Sequence, residues 1–186
     1  PVPVDRLLTT DYIAERLADY DRRKASPSSA VLAGHPGQES EQTTHFSIVD
    51  AEGNAVSCTT TLNGWFGSGV VVGEAGFLLN NEMDDFSRAP GTPNHYGLVG
   101  AEANAIAPRK RMLSSMAPTI ITRHGKLFMV LGSPGGSTIP SCVLQTFLNV
   151  THKGMGMQEA VNAPRFHHQW LPDTILAETG AIPRND

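Results

Sequence analysis

Gln42-Thr43-Thr44-His45-Phe46-Ser47-Ile48-Val49-Asp50 is the stretch on which the reading of this chain turns. It is an alternating apolar segment of the kind that forms a half-buried strand, and it opens on a threonine. A threonine at a chain start can act as a nucleophile, with its own α-amine as general base. Here that amine is tied up in the Gln42–Thr43 peptide bond, so such a chain must cut itself before it can act. An ordinary strand with threonine on its polar face fits the same residues.

The residues downstream supply a hairpin partner. His45 to Val49 and Ala55 to Thr60 flank Glu52-Gly53-Asn54, a glycine-containing turn. Thr119 to Thr122 and Leu127 to Leu131 form a second hairpin around Arg123-His124-Gly125-Lys126, and Phe77-Leu78-Leu79 reads as a short strand. A helix follows over 137–152, with Ile139, Val143, Leu144, Phe147 and Leu148 at helical spacing. Another starts at Gln158 and is broken by Pro164. Strands first and helices after favour an α+β class over a βαβ alternation. Ala89 to Gly100 is a long loop with two prolines and three glycines.

Upstream, Thr9-Thr10-Asp11 is a cap signal for a helix carrying Tyr12, Ile13, Leu17 and Tyr20. Ser26 to Glu41 is polar and rich in Ser, Pro and Gly, and reads as a loose linker.

Composition sets the bounds. The 186 residues are 40% hydrophobic and 17% charged, which suits one ordinary globular domain with a real core. A net charge of −4 makes nucleic acid a poor partner, and Arg109-Lys110-Arg111 is a short basic run that reads as a solvated loop. No apolar run approaches the roughly 20 residues of a membrane span. Two cysteines, Cys58 and Cys142, make no disulfide framework and read as buried small hydrophobes. Adjacent His167 and His168 point different ways on a regular element and lack ligand-spaced neighbours, so no metal or cofactor is expected.

Six segments, in order, resemble the small subunit of the γ-glutamyltranspeptidases. They are the segment from Thr43, NAVSCTTTLN (54–63) with the following Phe66-Gly67-Ser68-Gly69, GFLLNNEMDDFS (76–87), RMLSSMAPT (111–119), GSPGGS (132–137) and NAPRFHHQW (162–170). The resemblance implies an αββα sandwich of the N-terminal-nucleophile hydrolase type. It also implies an enzyme that cleaves itself at Gln42–Thr43 and then acts on glutathione and other γ-glutamyl amides, passing the acyl group to water, an amino acid or a peptide. Related acylases, of the cephalosporin or polyglutamate type, and a non-catalytic binding module are the rival readings.

Under that resemblance Thr43 is the nucleophile and the Thr61 hydroxyl lies beside it, orienting the base; cross-strand pairing is the plainer reading of Thr61. Gly135 and Gly136 stand where an apolar strand runs into a helix. They allow either a tight turn or close approach of backbone N–H groups to an oxyanion, and the resemblance favours the second. A serine-hydrolase elbow is excluded because Leu131 occupies its first glycine position. A γ-glutamyl donor carries an α-ammonium and an α-carboxylate. Glu82, Asp85 and Asn63 match the family's ammonium side, and Ser114 and Ser115 its carboxylate side. Tyr96 matches a tyrosine in a loop over the site.

The resemblance divides the chain into 1–42, the tail of a large subunit, and 43–186, the small-subunit catalytic domain. It implies that the large subunit, with an arginine that grips the substrate carboxylate, is mostly absent, and that the small subunit continues beyond Asp186. These residues alone are then expected to be inactive, with apolar surface exposed. A periplasmic or extracellular location is also implied.

Overall fold

The computed structural model describes residues 5, 8–18, 20–25, 43–92, 94, 98–169 and 173–182. The chain forms two compact units, Pro1–Leu32 and Ala33–Asp186. The 26–41 linker and Gln42 lie outside the described residues.

In the first unit, helix α1 spans Thr10–Arg16. Its cap is the one the sequence predicts: the Thr9 side chain accepts the Tyr12 amide at 3.2 Å, satisfying one of the four free N–H groups of a helix start. The helix is shorter than expected. It closes at Leu17, whose amide turns back to the Glu15 and Ile13 carbonyls, so Tyr20 falls beyond it.

The second unit is built on two hairpins. β1 (Thr43–Val49) and β2 (Ala55–Thr61) run antiparallel, with Thr43 opposite Thr61. Asp50 organises the turn between them. Its carboxylate accepts the amides of Glu52 (3.0 Å) and Asn54 (2.7 Å) and the Asn54 side chain (2.7 Å), which hold its pKa below the ordinary range, the Asn54 side chain most of all. β3 (Thr119–Arg123) and β4 (Lys126–Leu131) form the second hairpin, with a register shift at Ile121/Thr122. His124 and Gly125 both adopt left-handed φ (53° and 74°) at its turn. That twist suits a two-residue hairpin loop.

The hairpins meet through short polar side chains. Ser57 Oγ donates to the Leu131 carbonyl at 2.8 Å and Ser47 Oγ to the Val130 carbonyl at 3.4 Å. His45 sits between Thr59 Oγ1 (2.9 Å) and Ser47 Oγ (3.0 Å). Because the Ser47 hydroxyl proton goes to Val130, His45 donates from Nε2 and receives from Thr59 at Nδ1. Burial lowers the His45 pKa, which disfavours the charged ring. A Cβ on Gly132 would run into this fixed ring. Gly132→Ala in the full-length protein is therefore expected to cost about 1–3 kcal/mol by overpacking, read as a lower denaturant midpoint at unchanged slope. An unchanged midpoint would show that the imidazole can swing away.

Beyond β4, a 3₁₀ turn (Gly136–Thr138) leads into α2 (Ile139–Thr151), which carries a proline in its first turn as helix starts allow. Ile139, Thr146 and Asn149 are its buried residues. Leu144 is not among them: at 56% exposed it lies on the outer side, because the inward stripe runs through 139, 146 and 149. α3 (Met157–Asn162) packs on α2 and stops at Ala163, ahead of Pro164. β5 (Phe166–His167) and β6 (Leu176–Ala177) close the unit as a short ribbon. Among the described residues, Met129, Leu131, Ile139, Phe86 and Ala160 are the buried apolar ones.

Two further expectations need correction. Phe77-Leu78-Leu79 pairs with 68–72 through three backbone bonds, but is regular only at the Val71–Leu78 bridge. Left-handed Gly67 and Gly69 break the pleat opposite it. Cys58 and Cys142 are half-buried free thiols rather than fully buried ones.

Candidate active site

Strand register places the site's first two groups. Because Thr43 and Thr61 are directly opposed, their side chains leave the same face of the ribbon. The Thr43 hydroxyl donates to Thr61 Oγ1 at 3.4 Å. Cross-strand pairing and an orienting role for Thr61 are thus the same geometry. Thr61 Oγ1 also accepts the Asn63 amide at 2.9 Å, which fixes its position.

Asn63 turns the chain out of β2. It is 6% exposed and adopts a left-handed φ of 70°, a conformation asparagine tolerates better than most residues. Its side chain donates to the Asn81 carbonyl at 3.4 Å, and Asn81 Oδ1 accepts the Gly64 amide at 2.8 Å. These bonds tie the end of β2 to the 3₁₀ turn Glu82–Asp85.

That turn is electrostatically unusual. Burial first, then the Glu82 and Asp84 charges, push the Asp85 pKa up to about 6. Burial also raises that of Glu82. Among the described residues no cation pairs with Asp85: Arg88 contacts Asp84, at 4.0 Å. A half-buried carboxylate crowded by like charges is a receptive place for a cationic ligand.

Across from the turn, Ser115 Oγ donates to the Gly136 carbonyl at 2.9 Å, and Ser114 Oγ accepts the Met116 amide at 3.2 Å. Gly135 and Gly136 both have positive φ, 128° and 54°. The Gly135 carbonyl accepts the amide and hydroxyl of Thr138 at 3.0 and 2.8 Å, and a Cβ on Gly135 would run into the Thr138 hydroxyl. The pair is therefore a tight strand-to-helix turn.

One cavity of about 650 Å³ gathers these groups: Thr43, Thr61, Asn63, Asp85, Ser114, Ser115 and Gly136 all line it. Glu82 and Gly135 do not, and Glu82 acts on the cavity through its charge on Asp85. Tyr96 lies outside the described residues. Sequence reasoning gave no site role to several other polar lining residues, Asn104, Ser137 and Gln169 among them. Gln169 Oε1 accepts from Ser137 Oγ (2.8 Å) and pairs with His167 Nε2 (2.9 Å), while His167 Nδ1 meets Ser141 Oγ at 2.8 Å. His167 is thus held by hydrogen bonds, and among the described residues no group of His, Cys, Asp or Glu could hold a metal ion. Asn104 lies outside every quoted motif, and Ser137 and Gln169 lie inside two of them without a role of their own; only the fold brings them to the wall.

A pair of opposed threonine hydroxyls, a half-buried acid, two serines and a glycine turn are groups of the kind that amide-bond cleavage through an acyl intermediate uses. The gamma-glutamyltranspeptidase family model matches residues 1–185. The glutathione hydrolase proenzyme of Escherichia coli is 56% identical over 178 residues, covering 95% of this chain and 31% of that protein. A mutant γ-glutamyltranspeptidase of Helicobacter pylori superposes with a TM-score of 0.72 at 57% identity, covering 75% of each chain. An acivicin-inhibited γ-glutamyltranspeptidase, in which the C-terminus has critical roles in autoprocessing and catalysis, gives 0.72 and 57%, covering 75% of this chain and 74% of that one. The chain spans about a third of the length of the curated relatives it matches.

Proposed function

The chain belongs to the γ-glutamyltranspeptidase family, and on that footing we propose that it carries the nucleophile of a γ-glutamyl transferase/hydrolase acting on glutathione and related γ-glutamyl amides. The observation that carries the reading is the Thr43–Thr61 hydroxyl pair opening into the cavity that Asp85, Ser114 and Ser115 also line. Cleavage at Gln42–Thr43 frees the Thr43 α-amine. That amine takes the Thr43 hydroxyl proton as Oγ1 attacks the γ-carbonyl, and hands it to the leaving nitrogen as the C–N bond breaks. A γ-glutamyl ester remains on Thr43. Water, an amino acid or a peptide then attacks it by the reverse proton route. Backbone N–H at Gly136 stabilises the oxyanion, Asp85 receives the substrate ammonium, and the two serines receive its carboxylate. Glu82 adds negative charge beside Asp85.

The partner is the remainder of the same precursor. Trp65, Phe66 and Leu113 are 68%, 71% and 71% exposed, apolar area that a large subunit would cover. We place the protein in the periplasm or outside the cell by the same family reading. The direct test is release of the amine from a γ-glutamyl anilide by the full-length protein; hydrolysis of an N-acyl anilide lacking the α-amine and α-carboxylate at the same rate would reject the reading.

The raised Asp85 pKa gives the pH profile a specific shape. Asp85 must be ionised to hold an ammonium, and the Thr43 amine, near pKa 8 when unperturbed, must be neutral. Log kcat/KM should therefore fall with a slope of about one as pH drops below the amine pKa. It should steepen to about two below the Asp85 pKa of about 6. Asp85→Asn should return the low-pH slope to about one. A wild-type slope of one down to about pH 5 would remove Asp85 from substrate binding.

A further inference from the structure

Asn104 makes bonds that the motifs do not explain. Its Nδ2 donates to the Asp85 carbonyl at 2.7 Å, and its Oδ1 accepts the Leu113 amide at 3.0 Å. Its own carbonyl accepts the Ser87 amide at 3.0 Å. The residue is half-buried and lines the cavity. Both segments it grips belong to the site: Asp85 itself, and the residue directly before Ser114. From there Ser115 Oγ reaches the Gly136 carbonyl, so a chain of side-chain bonds runs from the acidic turn to the glycine pair. Neither gripped segment is a regular strand or helix of the sheet layers, and side-chain bonds of this kind fix what secondary structure leaves loose.

We infer that Asn104 is a positioning residue that sets the distance between the cation-receiving Asp85 and the anion-receiving Ser114–Ser115 pair, and so selects ligands carrying an ammonium and a carboxylate on one carbon. The inference rests on the γ-glutamyl reading above. A ligand that uses both anchors depends on their spacing. One that uses a single anchor follows it wherever it moves, and is indifferent to the spacing.

The test measures competitive inhibition of γ-glutamyl anilide hydrolysis by the full-length, self-cleaved protein with three probes. L-Glutamate carries both groups, glutarate lacks the ammonium, and 4-aminobutyrate lacks the α-carboxylate. In Asn104→Ala the inhibition constant for L-glutamate should rise about tenfold, as for one to two lost hydrogen bonds. Those for glutarate and 4-aminobutyrate should stay within about twofold. Asn104→Ser serves as a second variant and should show the same selective loss. Equal weakening of all three probes, no weakening of any, or loss of self-cleavage in both variants would overturn the inference, since Asn104 would then serve only the fold or nothing at all. Failure of the underlying reading looks different: wild-type protein would bind L-glutamate no better than glutarate or 4-aminobutyrate.

Discussion

Thr43→Ala should leave the full-length precursor as one uncut chain with no γ-glutamyl transfer. The substitution removes the hydroxyl that would attack the Gln42 carbonyl and later accept the γ-glutamyl group. It disturbs little else. Thr43 is half-buried at a strand start, and its side chain's one described bond is the 3.4 Å contact to Thr61. Thr61 would keep the Asn63 amide at 2.9 Å. The fold should therefore survive, which separates loss of chemistry from loss of structure. Thr43→Ser keeps a hydroxyl, and should cut, though more slowly. A gel showing normal cleavage of Thr43→Ala would remove Thr43 from the nucleophile role.

Asp85→Asn should lower kcat/KM for γ-glutamyl anilides by on the order of 10²-fold while the precursor still cuts itself. A charge-assisted hydrogen bond to an ammonium contributes roughly 1.5–3 kcal/mol, which is about 10 to 150-fold. The Asp85 site has no cation among its described neighbours to dilute the effect. Self-cleavage involves no substrate ammonium, so it should be spared. Burying this carboxylate also has a sign for stability. Its folded pKa lies above its unfolded value, so the folded state binds more protons between about pH 4 and 6 and loses stability as pH rises through that window. Asp85→Asn removes that loss. The variant should then be at least as stable as wild type at neutral pH, even as it loses turnover. Equal loss of cleavage and turnover would make Asp85 a structural residue.

Much of the fold is legible in the sequence because its signals are local. The two hairpins announce themselves by alternation and by Glu52-Gly53-Asn54 and His124-Gly125. The α+β class follows from strands preceding helices, and the fold is a partial αββα sandwich of the N-terminal-nucleophile hydrolase type. What fails is also physical. Leu144 fits a helical period, but only packing decides which stripe turns inward, and it turned through Thr146 and Asn149. Tyr20 lies one turn past the end that Leu17 imposes on α1. The strand expected at 77–79 depends on left-handed glycines in its partner, which the strand's own residues do not reveal.

The site divides the same way. Thr43, Thr61, Asp85, Ser114, Ser115 and Gly136 were named from motif order, and the fold brings them to one cavity. Residue chemistry alone could not choose between a cross-strand threonine pair and a nucleophile with its helper, because the two share one geometry. Asn104 was illegible for a different reason. It bonds backbone groups 19 and 9 residues away, and backbone groups leave no mark in a sequence. Gln169 likewise reaches Ser137 only through the fold.

The central claim is that Thr43 carries the acyl group, and trapping that group tests it most directly. Full-length enzyme turning over a γ-glutamyl donor is quenched in acid, digested, and its peptides weighed. The account predicts a peptide beginning at a free Thr43 and heavier by one γ-glutamyl group, with the label on the Thr43 hydroxyl and absent from Thr43→Ala. A γ-glutamyl group on any other residue during turnover, or a Thr43 still joined to Gln42 in fully active enzyme, would contradict it.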